Sequence, residues 1–310
     1  MIQLEPIYKK KVWGGRKLNS LYGRVLPYSE DVPIGEAWDI VDRPYDQSIV
    51  SYGDYEGLTL HDLWTNHHDE VFGYNAPDAD RFPILCKILD AQENLSLQVH
   101  PPHGVAERLE GEPKSEFWYA AQAEPYSLWF GGIIDQLNPD LFKATCRAGN
   151  ALGLIQPRII MQGDSWFLPS GTVHGLGENQ VIFEIQENSD TTYRVYDWER
   201  TDRELHIDKA AECIDFTTNF RPEILVPDQN YCLVNSDIFQ IHEYRLSAIE
   251  DLELDFYNFT IIAVTEGEVE CNGVTVTAGH YFMLAACDEN KTVSTTKEGT
   301  RILSVTWPTK

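Results

Sequence analysis

Four side chains of this 310-residue sequence have the types and spacing to hold one divalent cation. His174 lies three residues after the Pro-Ser-Gly of "GDSWFLPSGTVHGLG", which runs from Gly163 to Gly177. The glycines permit tight turns and positive φ, and the proline fixes the exit of a strand, so one imidazole is aimed inward. A structural histidine has no need of that framing. In "LQVHPP", strand alternation puts Gln98 and His100 on one face, the geometry of two ligands on one metal. The next acidic residue within a strand pattern is Glu116 of "PKSEFWY". An amide oxygen, two imidazoles and a carboxylate make a mixed oxygen and nitrogen set. It suits Zn²⁺ or another borderline divalent ion at roughly 2.0–2.2 Å, with room left for water or substrate oxygens.

Such ligands need strands beneath them. From about residue 82 the segments "FPILCKILDAQENLSLQVHPP", "SEFWYAAQAEPYSLWFGG", "DSWFLPSG" and "QVIFEIQENSDTTYRVYDW" are short, rich in β-branched and aromatic residues, and bounded by turn residues. "NPDLFKATCRAG" reads as a helix set between strands, with Pro139 in its first turn. Before residue 82 the chain mixes loop and helix. "GGRKLNSLYGR" and "LTLHDLWTNHHDEVFG" have helical patterns, the second with Thr59 as N-cap. His61, His67 and His68 lie on that second segment, and an adjacent pair on different faces of a helix is a poor chelate, so they read as surface or structural residues.

After a polar stretch around 214–230 a second β series begins, with "FQIHEYRLSA", "FTIIAVTEGEVECNGVTVTAGHYFMLA" and "TRILSVTW". The two series echo each other. "GDSWFLP" from Gly163 has a counterpart in "GHYFMLA" from Gly279, and the residue eleven places after the glycine is His174 in the first and Asn290 in the second. The expected fold is mainly β: two jelly-roll barrels with a few helices around the first. Residues 1–225 would form the armed barrel and 226–310 a blank one without metal ligands.

Composition narrows the partners. With 43% hydrophobic and 12% aromatic residues the chain can build a sizeable core. No run approaches the ~20 apolar residues of a membrane helix, and "MIQLEPIYKKKVWGG" lacks the apolar region of a signal peptide. The six cysteines show no CxxC pair and read as reduced, mostly buried thiols. A soluble, cytoplasmic protein is expected. The formal net charge of -25 excludes nucleic acid and anionic membrane as partners. It also means that an anionic substrate would need positive charge concentrated at its site. The sequence leaves monomer and homodimer equally open.

Gly163, Pro169, Gly171 and His174 resemble the second half-motif of the cupin barrel, Gly-x5-Pro-x-Gly-x2-His. The asparagine that closes the motif four residues later is Glu178 here, with Asn179 next. Taken together, "SLQVHPP", "GEPKSEFWY", "FLPSGTVHGLG" and "FEIQENSDTTYRVYDW" resemble the type I phosphomannose isomerases, in the short bacterial form. The similarity runs from "VWGG" through "IGEAWDI" to "ELHIDKA". It implies zinc, one ion per chain, on Gln98, His100, Glu116 and His174, with catalytic roles for Lys114, Arg194 and Asp190. Where many relatives have acidic residues after the first histidine, this chain has "HPPHGVAERLEGEPK". His103 is therefore not expected to be a ligand.

The implied reaction interconverts mannose 6-phosphate and fructose 6-phosphate through a cis-enediol, and the implied partner is a small sugar phosphate. Lys114 and Asp190 are both candidates for the proton-moving group, and Arg194 could supply the local positive charge. Blander readings stand beside these: a surface loop for Lys114, an Asx-turn for Asp190, pairing with Asp197 or Glu199 for Arg194, and, for "YKKKVWGGRK", a solvated face in preference to phosphate contacts. Glu184 and Gln186 alternate together and would line the same cavity if they point inward. Two other functions fit the same residues. One is a cupin metalloenzyme acting on another sugar or on dioxygen, which Gln98 in place of a histidine disfavours. The other is a sugar-phosphate sensor without turnover.

Overall fold

The computed structural model of the chain describes residues 1–217, 231–248, 250–254 and 259–308. Four antiparallel sheets build two barrels. In the first barrel a six-stranded sheet runs in the order Ser165–Leu168, Glu116–Ala123, Gln180–Glu187, Ile84–Ala91, Ile34–Ile40, Ile7–Gly15. A five-stranded sheet runs Ile155–Ile159, Leu128–Ile133, His174–Leu176, Leu97–Val99, Tyr193–Tyr196. Strands adjacent in sequence, such as Glu116–Ala123 and Leu128–Ile133, belong to different sheets. At most connections of the first barrel from Ile84 to Tyr196 the chain crosses between sheets instead of folding back on itself, as in a jelly roll. The second barrel has a five-stranded sheet from Tyr231–Asn235 to His280–Leu284 and a four-stranded sheet from Glu250–Glu253 to Val274–Thr277. The expected boundary at 225/226 lies outside the described residues.

Alternation assigns each residue of the six-stranded sheet to one of two faces. In Gln180–Glu187 the side chains of Val181, Phe183 and Ile185 enter a core shared with Phe239, Ile261, Met283 and Val305 of the second barrel. Phe117 and Tyr119, and Ile84, Cys86 and Ile88, do the same from the neighbouring strands. Gln180, Ile182, Glu184 and Gln186 take the other face, toward the inside of the first barrel. All eight residues of this strand are buried, as are all eight of Ile84–Ala91. Across the shared core Tyr119 donates its hydroxyl proton to Glu243 Oε1 at 3.0 Å. The interior of the second barrel is apolar and includes Ile262, Val264, Phe282, Leu284 and Ile302.

Gly163 (φ 88°) and Gly279 (φ 81°) both turn the chain into an edge strand, Ser165–Leu168 and His280–Leu284. The echoing segments thus take equivalent places in their sheets. Helix Leu60–Asn66 starts with a capping box of Thr59 and Asp62 and breaks at His67 before a second short helix, His68–Phe72. Its Trp64 meets Phe72, Phe82 and Trp307 edge-on, so this helical segment is wedged between the barrels. His61 lies 3.0 Å from Asp42, while His67 and His68 contact Glu70 and Asp69, which is the structural role expected of all three. Helix Pro139–Arg147, capped by Asn138, packs with Ile207–Cys213 over the outer side of the five-stranded sheet. The helix expected near the start is shorter than its pattern, Lys17–Ser20, because Gly14 and Gly15 end a strand.

Candidate metal centre

The Pro-Ser-Gly turn joins the segments that carry the ligand candidates. Thr172 N–H closes it on Pro169 O at 3.1 Å, Gly171 N–H donates to His100 O at 2.7 Å, and Ser170 N–H donates to Ser115 Oγ at 3.2 Å. Gly171 has φ 87°, and a Cβ there would stand 2.8 Å from Cys213 O. Only glycine fits both restrictions. His174 then enters a strand directly opposite Gln98, and Arg194 faces Gln98 from the next strand. Glu116 comes from the opposite sheet. The site therefore bridges the two sheets of the first barrel.

His174 Nε2 lies 3.1 Å from Glu116 Oε1, and His100 Nε2 lies 3.4 Å from Glu116 Oε2. Among the described residues these three form a group able to hold a metal, their ligand atoms all within 4.8 Å of one another. Each imidazole is oriented from behind. His100 Nδ1–H donates to Thr191 O at 2.7 Å and His174 Nδ1–H to Thr172 O at 2.8 Å, which leaves both Nε2 lone pairs aimed at the shared centre. Burial, reinforced by the Lys114 charge, pushes the His100 imidazole down to about 3, so it stays neutral as a ligand must. Burial works to raise the Glu116 carboxyl, but Lys114, His174 and His100 together overcome it and hold the group well below the usual carboxylate range.

Both Glu116 oxygens are buried without a hydrogen-bond partner of good geometry, although Lys114 Nζ stands 2.8 Å from Oε2. Gln98 presents Nε2 to His174 Nε2 at 3.4 Å, and a half-turn of its amide brings the oxygen to that place. Two oriented imidazoles, one ionised carboxylate with unsatisfied oxygens and one amide oxygen fit a divalent cation.

These residues adjoin a cavity of ≈ 330 Å³ whose wall includes Gln98, Lys114, Asp190 and Arg194. Lys11, Lys87 and Arg203 stand on the same wall, with Glu36 and Glu184, so five cationic side chains meet three carboxylates in a chain of net charge -25. Lys11, Lys87, Lys114 and Arg203 are paired with Glu36, Glu184, Glu116 and Asp197, so among the described residues Arg194 is the cation of this wall with no carboxylate partner. Lys114 is buried, not on a surface loop. Arg194 does not pair with Asp197, which Arg200 and Arg203 occupy. Instead Arg194 Nε donates to Ser96 Oγ at 3.3 Å and Nη1 to Glu204 O at 3.1 Å. Asp190 is exposed at the cavity wall. His103 pairs with Glu187 at 3.0 Å, away from the cluster.

Of the lysine-rich start, Lys9 pairs with Asp46 and Lys10 lies over Tyr28, but Lys11 reaches the cavity and Glu36 at 3.0 Å, which a merely solvated face does not explain. Glu184 lines the cavity as its alternation allowed. Gln186 turns its amide N–H groups to Glu187 O and Ser189 O. Sequence reading passed over Lys87 and Glu36. Their signal was charge within otherwise apolar strands, "ILCKILDA" and "IGEAWDI", each of which carries two charged residues three apart.

Fold and site together define a two-barrel cupin protein with a cation site in its first barrel. The family description "Phosphomannose isomerase type I, catalytic domain" matches residues 1–126. The mannose-6-phosphate isomerase ManA of Bacillus subtilis (strain 168) is 34% identical over 276 residues, covering 85% of each chain. A crystal structure of the mannose 6-phosphate isomerase from Bacillus subtilis matches with a TM-score of 0.82 at 30% identity, covering 98% of both chains. A mannose 6-phosphate isomerase bound with zinc and yttrium has a TM-score of 0.75 at 17% identity over 100% of both chains and shares the fold. The chain belongs to the type I phosphomannose isomerase family.

Proposed function

We propose that the chain interconverts mannose 6-phosphate and fructose 6-phosphate through a cis-enediol, with one Zn²⁺ per chain on Gln98, His100, Glu116 and His174. The observation that carries this reading is the convergence of two oriented imidazoles on buried Glu116 beside a cavity lined by Lys114, Asp190 and Arg194. The zinc-bound relative supports the choice of ion. A bound divalent cation supplies Lewis-acid stabilisation of the negative charge that develops on the sugar oxygens, with no redox change.

The remaining work falls to the chain's own side chains. Arg194, which has no carboxylate partner among the described residues, draws in and orients a phosphate ester. Of the three carboxylates on the wall, Glu36 is held by Lys11 and Trp38, and Glu184 by Lys87. Asp190 is exposed and makes no ion pair among the described residues. We assign it to take the proton from C2 of the aldose and return it to C1, while a hydroxyl proton passes from O2 to O1. Lys114 Nζ sits between Glu116 and Glu184 and offers donors to the reacting oxygens.

We assign catalysis to the first barrel, residues 1–225, whose six-stranded sheet is covered by Phe239, Ile261, Met283 and Val305 of the second. No helix among the described residues is long and apolar enough to cross a membrane. All six cysteines are free thiols, which supports a reducing compartment, the cytoplasm. The test is a coupled assay for fructose 6-phosphate from mannose 6-phosphate, with and without a chelator. Turnover that persists unchanged after thorough chelation would end the metal-dependent reading, and an Asp190→Asn variant with full turnover would end the proton assignment.

A further inference from the structure

Lys114 Nζ stands 2.8 Å from Glu116 Oε2 and 3.2 Å from His100 Nε2, among the atoms that would hold the cation. An ammonium and a dication repel strongly at such range, so the two cannot share that place. A second carboxylate lies within reach, because Glu184 Oε1 is 3.8 Å from the same Nζ. Glu184 is buried and belongs to a row of side chains, Trp38, Lys87, Glu184 and Trp118, in register across four strands. Lys87 Nζ lies 3.0 Å from Glu184 Oε1 and 5.1 Å from the centre of the Trp38 ring. Glu184 is thus fixed from one side and open to Lys114 on the other.

We propose that Glu184 is an alternative seat for Lys114. When a cation enters, Nζ leaves Glu116 and pairs with Glu184, and the availability of that seat sets the affinity of the site for the cation. Glu184 is a positioning residue that acts through Lys114. The inference rests on the four-ligand reading given above and adds to it how the site clears itself for the ion. It also explains why a buried anion stands next to the cluster without being a ligand.

The measurement is Zn²⁺ affinity of the full chain, by competition with a chromophoric chelator. Glu184→Gln should weaken binding on the order of 10- to 100-fold, the usual effect of losing a group that supports the ligands. Lys114→Met should tighten binding by about tenfold, since the competing charge is gone. In the Lys114→Met background, Glu184→Gln should lose most of its effect. A Glu184→Gln protein that binds Zn²⁺ like the parent overturns the inference. So does a loss that persists in full without Lys114, because Glu184 would then act on the ion directly.

If Glu184→Gln does not fold, as judged by circular dichroism, Glu184→Asp carries the test. It keeps the charge and draws it back by one methylene, and its smaller loss should likewise vanish in Lys114→Met. A parent chain with no measurable Zn²⁺ affinity is a separate failure, which overturns the four-ligand reading and the inference together.

Discussion

The two barrels are built from the same kind of sheets, and the first adds a row of paired charges to its apolar filling. In the first, one row of the six-stranded sheet places Lys87 and Glu184 between Trp38 and Trp118, and its mouth holds Glu116, His100 and His174. In the second the interior is Ile262, Val264, Phe282, Leu284 and Ile302. Apolar filling stabilises by roughly 25 cal/mol per Å² removed from water and offers a ligand nothing to bind. Polar filling survives burial only where charges are paired. Lys11 on Glu36, Lys87 on Glu184 and Lys114 on Glu116 meet that condition. The barrel with the candidate cation site is the one that tolerates a costly interior.

The sharpest way to break this contrast is to substitute the two residues that echo each other. His174→Ala should abolish cation binding and raise the barrier by about 4 kcal/mol, on the order of 1000-fold in turnover. Asn290→Ala should leave both unchanged, since Asn290 is exposed and only caps the turn to Thr292. Metal analysis and the coupled assay on both variants check this, and an Asn290→Ala protein that loses its metal would erase the distinction.

Next in size is a pair of neighbours in one strand. Ile261 enters the core common to both barrels, and Ile262 the second barrel's own core. Either one changed to alanine should destabilise by about 2–5 kcal/mol. Because the common core ties the barrels together, both variants should shift a single calorimetric transition. Two separate transitions in either would show that the barrels unfold independently.

Arg194→Ala should keep the metal and lower turnover by roughly 100-fold. If its rate matches the parent, the residue has no catalytic part.

The smallest expected effect is acid sensitivity of the polar interior. Burial works to raise the Glu36 carboxyl, but Lys11, Lys87 and the Trp38 indole N–H hold it at about 2 against an ordinary 4.5. Unfolded Glu36 takes up its proton at higher pH than folded Glu36. Its stabilising contribution is therefore full above pH 4.5 and fades as pH falls toward 2. Urea midpoints should decline across that window more steeply in the parent than in Glu36→Gln, and parallel curves would contradict the pairing.

Much of the candidate metal centre was legible because its determinants are local. The Pro-Ser-Gly turn and the two-residue offset of Gln98 and His100 are short-range patterns, and the structure brings both to Glu116. The jelly roll was legible as a series of short strands. The wall of the cavity was harder to read. Ile84–Ala91 and Gln180–Glu187 are buried on both faces, so the alternation that marks an inward side is hidden beneath apolar residues on either side. That second cover comes from residues such as Ile261 and Val305, distant in sequence, and no local pattern foretells it. The place of Lys11 was hidden for the same reason, because its partner Glu36 becomes visible only once the strands are paired.

The outer face of the six-stranded sheet, with Phe117, Phe183 and Ile185 turned toward the second barrel, bears on how this protein can be dissected. A fragment that kept every chemical group but ended before Tyr231 would present that wall to water. Such a fragment should clump, or borrow a lid from a neighbouring molecule. Shortening the enzyme for engineering would mean repainting that wall with polar side chains before anything is cut away.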